Sequence, residues 1–232
     1  MNTEKADLNL IDKLILLALD DKKGTFVSDS LSFGYGIAGA VIFELSIEGS
    51  IEIIEKKIKV VRSEKLTNKI LDDCLRIINK SKKERTIQDW IQILGEKESL
   101  LKKMTIEKLI LLDILTRKED KFLWIFSNDK FPTKNKLPEN KLRSRLYDIV
   151  ENNLEPELKE IMLISLIDSC ELNKEVYGKV IDKEKKKRIK DVIKRIQLAN
   201  SANEIIKEIH DSIIAAIIVI ITTSTITTTT NT

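Results

Sequence analysis

The chain has 232 residues, of which 42% are hydrophobic and 33% charged, with only 3 prolines and 7 glycines. This composition favours a compact, helix-rich protein and argues against a disordered chain. The 40 basic and 37 acidic residues give a net charge of +3, which excludes a nucleic-acid binder that is basic over its whole surface but leaves room for local basic patches.

Two apolar helices joined by a turn are predicted at the start of the chain. The first covers about residues 8–19, because its leucines and isoleucines follow the 3.6-residue period of a helix. Residues 20–24 form an acidic turn that ends in glycine. The second helix starts from N-cap candidates at residues 28–32, continues to about residue 47 and is ended by Gly49.

Small residues on the second helix predict that it lies at the centre of the domain. Gly36, Gly39 and Ala40 fall on its early turns and let another backbone approach closely. Residues 34–39 also match the dinucleotide-binding pattern G-x-G-x-x-G. No strand precedes them, so helix packing explains these glycines better than a nucleotide site does.

The rest of the sequence predicts two β-hairpins and further helices. The first hairpin pairs residues 51–54 with 58–61, and the second, at residues 114–126, places two apolar runs around a charged tip. The order helix, helix, hairpin therefore occurs twice, as in a winged-helix arrangement. The further helices are predicted at about residues 70–78, 86–94, 100–112, 140–153, 156–170, 174–197 and 203–221.

The predicted fold class is mainly α: a single globular helical domain at residues 1–221 with two short hairpins. A Thr-rich tail at residues 222–232 is predicted to be disordered, and the polar loop at residues 128–140 is the best candidate for an internal linker. The first seven residues are polar, so no signal peptide is predicted, and the longest apolar run is about half of what spans a bilayer. With only two cysteines, the protein is predicted to be cytoplasmic, or bound to a membrane surface from that side.

The second hairpin carries an unusual strand of five large apolar residues in a row. A half-buried strand has a polar residue at every second position, but here neither face is polar. The strand is therefore either buried on both sides or meets a partner or a lipid surface, and a tryptophan near a strand tip suits a membrane interface. These residues are Phe122, Leu123, Trp124, Ile125 and Phe126.

Enzyme chemistry is poorly supported, and no catalytic residue, metal site or cofactor is predicted. The single histidine, His210, has no nucleophile motif near it, and no phosphate-binding loop is present. Asp20 and Asp21 lack the spacing of a calcium site. The densest basic run, residues 183–195, has an apolar face, so it is either the solvated back of a helix or a patch for anionic lipid or nucleic acid.

These features together resemble the Golgi phosphoprotein 3 family, including its shorter bacterial relatives. The resemblance covers roughly residues 8–220. It is best at residues 14–24, at 36–51, at Trp90-Ile91 and from Ile114 into the apolar strand. It implies a mostly helical single domain that binds phosphatidylinositol 4-phosphate on Golgi membranes. In eukaryotic members, the domain is an adaptor that retains glycosyltransferases through their cytosolic tails.

The family's lipid pocket is only partly present in this sequence. Asp29 stands at the position of its tryptophan and Ala38 at the position of an arginine, and neither can replace an indole or a guanidinium at a phosphate. Lys102 and Lys103 match a pair of arginines, which implies that they contact the lipid head group. Phe122–Phe126 matches the family's apolar hairpin, which implies membrane contact.

The sequence therefore predicts one function and leaves two alternatives from other classes. The first is a peripheral membrane-associated adaptor that binds anionic phospholipid and the tails of protein partners, without high selectivity for phosphatidylinositol 4-phosphate. The second is a winged-helix-like nucleic-acid binder, which the near-neutral charge disfavours. The third is a helical scaffold whose apolar hairpin is a homo-oligomer contact and which binds no lipid.

Overall fold

The computed structural model describes residues 8–27, 31–118, 130–195, 210–211, 213–220 and 222–223. Over these residues the chain is mostly helical, with one small antiparallel sheet, which confirms the predicted fold class. Residues 213–220 form a helical segment near the C-terminus. The elements in chain order are α1 Leu10–Leu17, α2 Leu31–Ile47, β1 Ile51–Ile54, β2 Lys57–Val60, α3 Lys69–Asn79, α4 Ile87–Gly95, α5 Glu98–Leu111, α6 Leu137–Glu151, α7 Leu158–Ser169, α8 Asn173–Tyr177 and α9 Lys183–Lys194.

Helix α2 is the centre of the fold. It packs against α1, α3, α4, α5 and α7, and nearly every side chain from residue 32 to 45 is buried. A Cβ on Gly36 would lie 2.1 Å from Cys170 Sγ, and one on Gly39 would lie 3.0–3.3 Å from side chains of α7 and of the 213–220 segment. Neighbouring elements therefore approach α2 as closely as its small residues permit, which confirms the predicted central position.

Helix α1 is shorter than predicted at both ends. A capping box starts it, in which the Asp12 amide donates to Asn9 Oδ1 at 2.9 Å and the Asn9 amide donates to Asp12 Oδ2 at 3.0 Å. The helix ends at Leu17 because Leu19 pairs with Phe26 in an antiparallel bridge, so the chain must reverse between them.

The predicted first hairpin is present, but its turn is one residue shorter than predicted. β1 and β2 are antiparallel, with Ile51 opposite Val60 and Ile54 opposite Lys57. Glu55 and Lys56 form the two-residue turn with φ values of 49° and 62°, the left-handed conformation that suits the twist of a hairpin. Lys57, which the sequence places in the turn, is the first residue of β2.

The second hairpin is paired differently from the prediction. Leu115 is bridged to Thr133 and Lys118 to Lys130, so residues 115–118 pair with residues 130–133, further along the chain than predicted. The charged residues Arg117 and Lys118 thus belong to the paired region instead of the tip. Phe122–Phe126 lies outside the described residues, as does Asp29.

The polar loop at residues 128–140 is not a linker where the structure describes it. The 130–133 segment also contacts the acidic turn, because the Phe131 amide donates to the Gly24 carbonyl at 2.8 Å. Gly24 has a φ of 67°, and a Cβ there would lie 2.3 Å from the backbone nitrogen of Pro132. Helix α6 already begins at Leu137. Apolar pattern alone missed these contacts because they are made by backbone atoms.

The predicted helix at residues 174–197 is two helices in the structure. Gly178, with a φ of 101°, separates α8 from α9, because few other residues adopt that backbone conformation. The helix predicted at residues 203–221 is described only in part. Of the predicted tail, only Thr222 and Thr223 are described, and both are helical. The single-domain boundary at residue 221 stays a prediction.

Candidate functional site

A cleft of about 440 Å³ brings three basic side chains together on the surface of α5. Its α5 wall presents residues at positions i, i+3, i+4 and i+7, which share one helix face. The paired residues 115–118 and 130–133 form the opposite wall. We call this site the basic cleft, and it is lined by Ser99, Lys102, Lys103, Ile106, Glu107, Arg117 and Phe131.

Lys102 is held in place by its surroundings. Its ammonium lies 4.3 Å from the ring centroid of Phe26 and 4.9 Å from that of Phe33, and it forms an ion pair with Glu98. The side chain is only 14% exposed. Lys102 therefore places positive charge in the wall of the cleft, but much of that charge is already compensated.

Lys103 and Arg117 are more accessible to a ligand than Lys102 is. Both are exposed, and neither forms an ion pair with a residue that the structure describes. The Arg117 guanidinium lies 5.9 Å from the Phe131 ring centroid, which aligns it along the cleft wall. Glu107 is the one carboxylate among the lining residues, so the cleft keeps a net positive charge. Such a site can bind a phosphate through one ammonium and one guanidinium.

The predicted head-group residues Lys102 and Lys103 both line this cleft, and their role stays a prediction. Ala38 has no exposed surface and lies inside the core, so that position cannot contribute to a surface pocket. Sequence reasoning missed Arg117 because it placed residues 116–118 at a hairpin tip. Pairing residues 115–118 with 130–133 would have put Arg117 beside Phe131.

The segment that carries the predicted membrane contact starts and ends next to the basic cleft. Lys118 and Lys130 pair through two backbone hydrogen bonds, of 2.8 and 3.1 Å, and residues 119–129 connect them. Arg117 immediately precedes this pair. The chain therefore leads into the predicted apolar segment at Lys118 and returns at Lys130, in the residue pair next to Arg117 and Phe131 of the cleft.

A buried carboxyl, Glu139, lies beside the acidic turn that the 130–133 segment contacts. Glu139 is 2% exposed, and Arg143 Nε donates to its carboxylate at 2.7 Å. Burial, together with the neighbouring Asp21 carboxylate, raises the pKa of Glu139 to about 7, although Arg143 opposes the shift. Near pH 7 the Glu139 carboxyl of α6, which lies beside Asp21 of the acidic turn, is therefore partly protonated.

Ser165, His210 and Asp211 contact one another in the same sequence as the serine, histidine and aspartate of a hydrolase triad, but here they have a structural role. Ser165 Oγ lies 2.7 Å from His210 Nε2, and His210 Nδ1 lies 2.9 Å from Asp211 Oδ1. Ser165 is 1% exposed in the middle of α7, where helical hydrogen bonds occupy the neighbouring amides, so no oxyanion site is formed there. The histidine ring stacks on Phe43 at 6.0 Å, which ties the C-terminal residues to α2 and α7.

Within the ranges described, no helix is long and apolar enough to cross a membrane.

Comparisons with known proteins agree with the resemblance seen in the sequence. Vacuolar protein sorting-associated protein 74 of Eremothecium gossypii is 30% identical over 115 residues, which cover 44% of this chain and 34% of that protein. The match thus spans about a third of the length of that curated relative. A family model for Golgi phosphoprotein 3 (GPP34) matches residues 10–209, a range that contains α1 to α9 and both walls of the basic cleft. The chain belongs to the Golgi phosphoprotein 3 (GPP34) family.

Proposed function

We propose that the protein is a peripheral membrane-associated adaptor, located in the cytoplasm, that binds anionic phospholipid head groups at the basic cleft. The observation that carries the proposal is the convergence of Lys102, Lys103 and Arg117 on one opening of about 440 Å³. The adaptor part is supported by the family and by the name of the relative, which refers to protein sorting. The tails of membrane proteins are the partners that such an adaptor would bind.

Head-group binding at this cleft is expected to be weak and driven by charge. Each lysine or arginine near an anionic membrane contributes about 1 kcal/mol. Lys102 is compensated by Glu98, so Lys103 and Arg117 supply most of the attraction. Ala38, at the position that matches the family's arginine, is buried and cannot contact a head group. High selectivity for phosphatidylinositol 4-phosphate over other anionic lipids is therefore not expected.

The apolar residues of the predicted hairpin would add a second contribution to the free energy of membrane binding. We propose that Leu123 or Trp124 enters the membrane interface while the basic cleft meets the head groups. Apolar burial contributes about 25 cal/mol per Å² and is little affected by salt. Trp124→Ala should therefore weaken vesicle binding at every salt concentration, whereas loss of the basic residues should weaken it mainly at low salt.

Vesicle sedimentation tests the proposal directly. The variant Lys103→Ala, Arg117→Ala should bind phosphatidylserine vesicles about 30-fold more weakly than wild type at low salt, from roughly 1 kcal/mol per residue. The matched control is Lys82→Ala, Lys83→Ala, which removes two exposed charges between α3 and α4. Neutral vesicles and a DNA duplex complete the series.

Other outcomes would select the other functions. If both double variants bind vesicles like wild type, the basic cleft is not the lipid site. Binding of wild type to DNA but not to vesicles would select the nucleic-acid alternative. If folded Trp124→Ala keeps its vesicle affinity but changes its size on a sizing column, the hairpin is an oligomer contact.

A further inference from the structure

Helix α9 carries a single file of lysines on its exposed face. Relative to the first, they stand three, four, seven and eleven residues on, which places them within an arc of about 100° and along roughly 17 Å of the helix. All five are at least partly solvent-facing, and none forms an ion pair with a residue that the structure describes. They are Lys183, Lys186, Lys187, Lys190 and Lys194, and we call them the lysine face.

The other side of α9 is the one that holds the helix in the fold. Ile189 and Val192 are buried, and α9 packs against α6 and α7. Lys185 and Arg188 pair with Glu151 of α6 at 2.9 and 2.6 Å. Arg195 pairs with Glu155 at 3.5 Å. The basic run therefore divides into side chains that pair with carboxylates and the lysine face, which forms no ion pair among the described residues.

The lysine face contains three like-charged pairs at helical spacing, with Glu184 and Asp191 beside them on the helix. Lys183 and Lys187, Lys186 and Lys190, and Lys190 and Lys194 are three like-charged pairs at a spacing of four residues. Each such pair destabilises a helix by a few tenths of a kcal/mol. An anionic surface placed against the face would remove this repulsion.

Apolar side chains border the lysine face on one side. Lys190 and Lys194 line a groove of about 410 Å³ together with Ile193, Ile214 and Ile218, and the carboxylates Asp168 and Glu171 also line it. Ile218, on the 213–220 segment, is 50% exposed. Lysines beside one exposed and two partly exposed isoleucines combine the two features of a surface that lies on a lipid interface.

We propose that the lysine face is a second contact for an anionic phospholipid surface, separate from the basic cleft. The proposal rests on the proposed function in one respect only, that the protein meets a membrane. A flat anionic surface can approach all five lysines at once. No arginine and no aromatic residue lies within the arc to read or stack nucleic-acid bases, and the neighbouring isoleucines favour lipid over a nucleic acid.

A charge-removal series tests this contact. The lysine-face variant is Lys183→Gln, Lys186→Gln, Lys187→Gln, Lys190→Gln, which removes the charge but keeps an unbranched polar side chain of similar helix propensity. Its matched control, Lys59→Gln, Lys65→Gln, Lys82→Gln, Lys83→Gln, removes four exposed lysines elsewhere. Binding is measured with vesicles of phosphatidylcholine alone and with 30% phosphatidylserine, at low and at moderate salt, and circular dichroism checks folding.

The lysine-face variant should lose at least about tenfold in affinity for the anionic vesicles at low salt. It should also show a shallower salt dependence, while the control stays within twofold of wild type. Its thermal unfolding temperature should stay close to that of wild type, because the substitutions remove the like-charged pairs together with the attraction between Lys187 and Asp191, which stand four residues apart. Equal loss in the control and the lysine-face variant would overturn the inference, since net charge alone would then explain binding.

Comparison with the Lys103→Ala, Arg117→Ala variant separates the two proposals. If only the lysine-face variant loses binding, the lysine face stands and the basic cleft fails as a lipid site. If only the cleft variant loses binding, the proposed function stands and this inference is overturned. A lysine-face variant that loses affinity for a DNA duplex but not for vesicles also overturns it, because the face would then serve a nucleic acid.

Discussion

Helix α2 and the 130–133 segment are held in the fold by different forces. α2 is surrounded mainly by apolar side chains from five helices, although its buried Glu44 accepts from the Leu10 amide and pairs with Lys159. The 130–133 segment is held by backbone hydrogen bonds to residues 115–118 and to Gly24, next to the Glu139 and Asp21 carboxyls. The stability that apolar packing provides should not depend on pH but should fall when a larger side chain is added. The stability of the hydrogen-bonded segment should depend on pH and should fall when even one carbon is added at its contact with Gly24.

The largest effect is expected where this segment contacts the acidic turn. Gly24→Ala should lower the free energy of unfolding by about 3–5 kcal/mol, because a left-handed φ of 67° and a Cβ position 2.3 Å from the Pro132 nitrogen act together. Urea denaturation measures the change.

Gly178→Ala is the control for this prediction. Gly178 also has a positive φ, of 101°, but a Cβ there would have nothing within 4 Å. It should therefore lose only the conformational part, roughly 1–3 kcal/mol. If Gly24→Ala costs no more than Gly178→Ala, the close contact between the turn and the 130–133 segment is absent in solution.

The pH dependence of stability should come from the same region. The pKa of Glu139 is raised from 4.5 to about 7 by burial and by Asp21, so between these values the folded state keeps a proton that the unfolded state has lost. Stability should therefore fall as pH rises through this window, by up to about 3 kcal/mol, and level off above it.

Glu139→Gln should remove that part of the pH dependence. A glutamine amide can donate to Asp21 and accept from Arg143, so it imitates the protonated acid at every pH. The free energy of unfolding of the variant, measured from pH 5 to pH 8, should be flatter than that of wild type. A variant that shows the full wild-type slope would place the titrating group elsewhere.

The core should respond to volume and not to pH. Gly39→Leu adds a side chain where a Cβ would already lie 3.0–3.3 Å from Ile213, Ile217 and Leu166. Overpacking of this kind destabilises by roughly 1–3 kcal/mol. Denaturation at pH 5 and at pH 8 should give the same loss relative to wild type. Unchanged stability would mean that α2 is not the centre of the packing.

This contrast also explains which parts of the structure could be predicted from sequence. A long apolar run with Gly36 and Gly39 already indicates a helix with neighbours on every side, and the structure has one. The 130–133 segment is polar, contains Pro132 and is bound by backbone atoms, so its sequence resembles a linker. The sequence predicts α8 and α9 as one helix because the apolar period continues across Gly178. In the structure that glycine takes a backbone conformation that ends a helix.

The basic cleft was predictable only in part. The resemblance pointed to Lys102 and Lys103, which are consecutive on one helix. Arg117 joins them through an antiparallel pairing between distant residues, and no local pattern contains that information. The compensation of Lys102 by Glu98 is a helix-spaced pair that the sequence does show, but the ring contacts with Phe26 and Phe33 depend on the fold.

The smallest predicted effect separates the two neighbouring lysines of the basic cleft. Lys102→Ala should lower the free energy of unfolding by about 1 kcal/mol, because it removes two ring contacts and leaves Glu98 without its partner. Lys103→Ala should leave it within about 0.5 kcal/mol of wild type, because that side chain is exposed and makes no ion pair among the described residues.

Affinity for anionic vesicles should show the reverse order. Lys103→Ala should weaken binding by about fivefold at low salt, from roughly 1 kcal/mol per lysine, and Lys102→Ala by less, because Glu98 already compensates its charge. Thermal unfolding and vesicle sedimentation of the same two proteins give both comparisons. If Lys102→Ala is as stable as wild type and binds vesicles more weakly than Lys103→Ala, then Lys102 is free of Glu98 in solution. It would then be the main head-group contact, and the charge in the cleft wall would be available and not compensated.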